Sequence, residues 1–170
     1  MAEHTAREIF ITGLKNAHAM ENQALSIMKP QLTRVEHYPE IADRLEAHMR
    51  ETNGQITRLD EILVSLSESS SSLKDMALSM TGKMAALGHT VAGDEILKNT
   101  MANFAFEHFE IAAYRSLIAI AEYADLPALA VPLRASLEEE WAMAKWLDDN
   151  IVSVTTKFLA LSEAGASAKV

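Results

Sequence analysis

Apolar residues recur at steps of three and four along almost the whole chain, and no stretch alternates strictly, so the pattern predicts helices and no strands. The first helix is predicted from about Thr5 to Met28, with Phe10, Leu14, Ala17, Ala24 and Met28 on one face and Pro30 expected to stop it. The second, about Pro39 to Leu66, turns Ile41, Leu45, Leu59, Ile62 and Leu66 inward and ends at the polar run SESSSS. A shorter helix over Leu73 to Leu87 carries Met76, Met80 and Met84 on one side and closes at Gly88 and the turn-like TVAGD. Asp94 is placed to cap a third long helix, about Glu95 to Ala124. The fourth, about Pro127 to Leu161, points Leu133, Leu137, Ala144, Leu147, Ile151, Val154 and Phe158 inward, and the tail over 162–170 is expected to fray.

Short links follow the first and third long helices, so each pairs antiparallel with its successor. The long segment from Ser67 to Gly93 lets the third helix run in the same sense as the second. The fold expected is all-α: a ferritin-like four-helix bundle with a short fifth helix in the crossover, one domain over 1–170 with its core at about 5–161. An up-down-up-down bundle with an extra capping helix is the structural rival.

Composition narrows the chemistry. There are no cysteines, which excludes disulfides, thiolate metal sites and cysteine nucleophiles, so any metal must be held by oxygen or imidazole. With 24 acidic against 15 basic side chains the net charge is -9, and the basic residues are scattered, so nucleic acid is not an expected partner. No apolar run is long enough for a membrane span and MAEHTAREIF lacks the pattern of a secretory signal, so a cytoplasmic chain is expected.

Several acids fall on the buried seams. On a 3.6-residue wheel Glu21 sits at the centre of the first helix's stripe, Glu107 and Glu110 share one face of the third, and Glu140 lies on the seam of the fourth. The second seam carries His48, Thr52 and Gln55, with Glu51 on its flank. Glu21 and Glu51 lie roughly 14 and 18 Å from the first hairpin turn, and the other three roughly 20 to 27 Å from the second. If those turns are at opposite ends of a bundle roughly 40 Å long, the five acids meet at nearly one level. Two carboxylates about 4 Å apart repel by about 4 kcal/mol at an effective dielectric near 20, on top of their desolvation. The seams carry no lysine or arginine at this depth, so a pair of divalent cations with oxygen ligands is the expected neutraliser.

The stretches AMENQAL, HMRETNGQITRLDEI, FEHFEIAAYRSL and LEEEWAMAKWL resemble the YciE/YciF-like stress-protein family of the ferritin-like superfamily, over about residues 5 to 160. The resemblance implies a rubrerythrin-like bundle, usually homodimeric and linked to stress responses. By the pattern of di-iron relatives, Glu21, Glu51, Glu107, Glu110 and Glu140 occupy carboxylate positions. The imidazole positions of that pattern hold Gly54 and Met143 instead, so His48 and Gln55 are read either as substitute ligands or as hydrogen-bond partners of ligands. The cysteine-rich iron module of rubrerythrin is absent.

Two functions are therefore expected in competition. One is a metal-binding protein with a dinuclear iron or manganese site acting on a small oxidant, oxygen or peroxide, with Tyr114 beside Glu110 as a redox or hydrogen-bonding group. The other is a non-catalytic stress or interaction protein with a vestigial or weak metal site. His108 points away from the seam and reads as a surface or interface residue, and Trp141 and Trp146 are candidates for a dimer contact or for ordinary packing.

Overall fold

The computed structural model describes residues 5–66 and 93–169. The expected crossover helix, with Met76, Met80 and Met84, lies outside the described residues. Four helices are described: α1 (Ala6–Arg34), α2 (Pro39–Ser65), α3 (Glu95–Tyr123) and α4 (Pro127–Glu163). Thr5 opens α1 through a capping box, its hydroxyl accepting from Glu8 N–H while the Glu8 carboxylate accepts from Thr5 N–H. Pro39 and Pro127 each start a helix, where their missing N–H has no intrahelical partner to lose.

Cross-helix contacts fix the directions. Gly13 meets Leu117, Glu21 meets Tyr114, Gln31 meets Asn103 and Arg34 meets Glu95, so α1 and α3 are antiparallel neighbours. Arg7 to Leu66 and His18 to Asp60 make α1 and α2 antiparallel. It follows that α2 and α3 run in the same sense, which selects the crossover bundle over the up-down-up-down rival. A Cβ at Gly13 would come within 2.7 Å of Leu117 Cδ2, so the absent side chain leaves room for the tip of Leu117 between α1 and α3.

Three expectations need correction. Pro30 does not end α1, which continues to Arg34. The carbonyl of Ser26 that Pro30 leaves without a donor sits on an exposed face where water can reach it, while the reciprocal Gln31–Asn103 amide pair and the Arg34–Glu95 ion pair hold the last turn. Asp94 stands at the start of α3 but makes no cap hydrogen bond, its carboxylate pairing instead with Lys98. The tail is docked rather than frayed. Gly165, at φ +68°, closes α4 with Ala166 N–H bonding Leu161 C=O and Gly165 N–H bonding Ser162 C=O, which turns the chain back. Tyr38 then donates to Ala168 C=O, Ile96 N–H to Lys169 C=O, and the Lys169 ammonium pairs with Glu95.

The core runs the length of the bundle, and every residue of the four predicted seams is buried or half-buried. Most of it is aliphatic. At mid-height it is not: Glu21, His48, Thr52, Gln55, Glu107, Glu110 and Glu140 interrupt it.

Candidate metal centre

On α2, Arg44, His48, Glu51, Gln55 and Arg58 follow one another at steps of four and three, which puts them on one side of the helix. His48 is the pivot of this row. Its Nδ1 lies 2.8 Å from Glu51 Oε2, and its Nε2 lies 3.3 Å from Glu107 Oε2 and 3.7 Å from Glu140 Oε2. The contacts of Nε2 are ion pairs without good hydrogen-bond angles. Gln55 donates its amide to Glu140 and, at 3.0 Å, to Glu139, which also takes a two-oxygen contact from Arg58 at 2.6 and 2.8 Å. Arg44 covers Glu51 at 3.2 and 3.3 Å.

His48, Glu107, Glu110 and Glu140 each present one ligand atom, all within 4.8 Å of one another, and all four residues are buried. Glu110 carries the sharpest anomaly: neither carboxylate oxygen has a hydrogen-bond partner, and neither reaches solvent. Oε2 of Glu140 and Oε2 of Glu21 are also buried without a hydrogen bond. Native interiors rarely leave such groups unsatisfied, and oxygens aimed at one point fit a shared proton or a cation. Hard oxygen donors with one imidazole suit divalent iron or manganese. Of the other expected residues, Glu21 borders the cluster and is held by Tyr114, whose hydroxyl donates to Oε1 at 2.6 Å. Glu51 stays on the rim, its side chain 31% exposed and paired with Arg44 and His48.

The electrostatics follow from this crowding. Burial raises the Glu21 pKa to about 8 against the lowering hydrogen bond from Tyr114 and the charge of His48. Burial, then the charges of Glu21 and Glu107, raise Glu140 to about 10. Glu110 is pushed well above the usual carboxylate range by burial and by Glu21, Glu140 and Glu107. Burial alone would lower His48, but its contacts with Glu107 and Glu51 outweigh it and raise it to about 10. For Glu51, burial is outweighed by the hydrogen bonds from His48 and Arg44, which hold it below its ordinary value.

The profile of the family described as "Domain of unknown function (DUF892)" matches residues 5–160. Protein YciF of Escherichia coli K12 is 30% identical over 161 residues, covering 90% of this chain and 94% of YciF. The chain belongs to this YciF-like family. Among solved structures, a protein from Xanthomonas campestris pv. campestris aligns at a TM-score of 0.77 and 32% identity, covering 93% of this chain and 98% of that one. The structure of the Escherichia coli stress protein YciF aligns at 0.69 and 26% identity over 89% and 99%. Both are similar over nearly the whole bundle, so the fold is shared.

In this YciF-like chain Gly54 and Met143 stand at the two positions where the resemblance led to an expectation of imidazole. A side chain at Gly54 would begin 3.4 Å from the Arg58 guanidinium, and Met143 is fully buried. Sequence reasoning missed Arg44, Arg58 and Glu139, which frame the cluster. The signal was available, since Arg44 and Arg58 stand seven residues either side of Glu51 on the same helix face. His108 and Trp141 stack edge to face at 6.2 Å on the exposed side of α3 and α4, away from the cluster. No helix among the described residues is long and apolar enough to cross a membrane.

Proposed function

We propose that this is a metal-binding, ferritin-like protein whose core holds a carboxylate-rich dinuclear site for divalent iron or manganese, acting on oxygen or peroxide in a stress response as a cytoplasmic homodimer. One observation carries the reading. Four buried ligand atoms from three helices lie within 4.8 Å, and Glu110 among them has no hydrogen-bond partner for either oxygen. Glu107, Glu110, Glu140 and His48 would hold one ion, and Glu21, with its unpartnered Oε2, supplies a further carboxylate for the second. Bound there, such ions supply Lewis acidity and, for iron or manganese, redox capacity.

The chain's own residues prepare that site. Glu51 accepts from Nδ1–H of His48, which fixes the tautomer and leaves Nε2 facing Glu107 and Glu140. Gln55 orients Glu140, and Tyr114 orients Glu21. The test is metal analysis after reconstitution with Fe(II) or Mn(II). About two ions per chain are expected, lost on replacing Glu107 by alanine and weakened on replacing Glu51. Stoichiometry near zero in the unaltered protein would end the proposal.

A second reading rests on the raised pKa values. With Glu21 at about 8 and Glu140 at about 10, protons together with the His48 imidazolium neutralise much of the cluster without a metal. A non-catalytic stress or interaction protein with a vestigial site would then have a stable core, and its melting temperature would not respond to added metal.

A further inference from the structure

We infer that the cleft between α1 and α3 is the route by which a small neutral molecule, dioxygen by chemical class, reaches the acid cluster, and that the small side chains of Ala24 and Ala102 keep it open. The inference rests on the oxygen-reactive metal core proposed above and adds how its substrate arrives and what is turned away.

The cleft is walled by Ala24, Ile27, Met28, Ala102, Asn103 and Phe106, and Glu107 of the cluster also lines it. Two larger clefts, of about 190 Å³ beside Met101 and Ile151 and about 450 Å³ beside Ile9 and Tyr123, are lined by no residue of the cluster. Burial increases inward: Ile27 and Ala102 at the mouth are half-exposed, while Ala24, Met28, Asn103 and Phe106 are buried. Glu107 keeps 3% exposure, Glu110 1% and His48 and Glu140 none, so the acid this cleft touches is the most exposed of the four clustered residues.

Polarity and size set the selection. Asn103 is the one polar wall residue before Glu107, and both ends of its amide are engaged by Gln31 at 2.9 and 3.1 Å. A hydrated ion entering would shed its water with nothing to replace it, which costs several kcal/mol, whereas a neutral apolar molecule loses nothing. The cavity volume is about 10 Å³, close to the least that admits one water-sized molecule. A larger side chain at Ala102 therefore closes the passage.

Two measurements test this on the full chain. In metal-free protein under oxygen pressure, paramagnetic relaxation of the Met28 and Ala102 methyl groups should exceed that of the fully buried Leu133 methyls several-fold, and Ala102→Leu should abolish the excess at Met28. In Fe(II)-loaded protein, Ala102→Leu should slow oxidation by dissolved oxygen about tenfold at unchanged iron stoichiometry, while Ala105→Leu, three residues along and outside the cleft, should leave the rate alone. Leucine is a good helix former at both positions, so folding is retained. Met28 relaxing no faster than Leu133, or equal oxidation rates in the two variants, would overturn the inference. A chain that takes up no iron would defeat the metal reading instead, and the relaxation measurement on metal-free protein would still decide the route.

Discussion

Glu95 and Glu140 each have no solvent exposure, yet their carboxyl groups are driven in opposite directions. At the end of the bundle, burial pushes Glu95 up but Arg34 at 2.7 Å and Lys169 at 3.3 Å outweigh it, and its pKa falls below the ordinary value. At mid-height Glu140 has Gln55 and a shared His48 for company and three acids nearby, and its pKa rises to about 10. Glu140 is surrounded by protein at mid-bundle while Glu95 sits near the end, so depth and the supply of cations together make the difference. The chain brings two positive groups to one acid at its end, and one imidazole to a crowd of acids in its middle. That shortfall is what an external cation or retained protons must make good.

Several substitutions and conditions sharpen the contrast. Glu95→Gln should destabilise the protein by about 3 kcal/mol in chemical unfolding, the low end for breaking a buried pair because Arg34 and Lys169 reach water. Saturating metal, about a hundredfold above its dissociation constant, should add about 2.7 kcal/mol and raise the melting temperature, with Glu95→Gln responding as strongly as the unaltered chain. Glu110→Gln should do the reverse of Glu95→Gln in the metal-free protein. It removes an unpartnered buried acid and should stabilise by about 1–2 kcal/mol while abolishing the response to metal.

Acidity separates the two regions as well. Glu21 and Glu140 have raised folded pKa values, so the metal-free protein binds more protons folded than unfolded. Their favourable contribution is complete below the unfolded value of 4.5 and is lost as pH rises toward about 8 and about 10. His48 adds to this trend, its contribution complete below 6.5 and lost toward about 10. Glu95 and Glu51, with lowered values, contribute above 4.5 and lose that contribution as pH falls through their folded values. Melting of metal-free protein between pH 5 and 8 should therefore fall with rising pH by up to about 1.4 kcal/mol per unit for each proton released. Metal-loaded protein should lack this decline. The smallest expected effect is Tyr114→Phe, which removes one hydrogen bond to Glu21 and should cost about 1 kcal/mol.

Much of the bundle was legible from spacing because each helix is long enough for the 3.6-residue wheel to average out local exceptions. The seams put Glu21, His48, Gln55, Glu107, Glu110 and Glu140 inward, and all are buried. What spacing cannot supply is which neighbour meets a flank. Glu51 lies off the seam and pairs with Arg44 inside α2, a match that spacing offers, whereas the pairing of Glu139 with Arg58 depends on where α4 sits beside α2. Pro30 and the tail were misread for a related reason. Local rules favour a stop at one and fraying at the other, and contacts distant in sequence, Gln31 with Asn103 and Tyr38 with Ala168, override them.

The central claim is that the mid-bundle acids converge on a cation. An anomalous-scattering map from a crystal soaked in Mn(II) or Fe(II) tests it most directly. Density is expected within about 2.0–2.3 Å of oxygens from Glu107, Glu110 and Glu140 and of Nε2 of His48. A map with no peak there at saturating metal, and with the carboxyl groups linked to one another by shared protons, would contradict it.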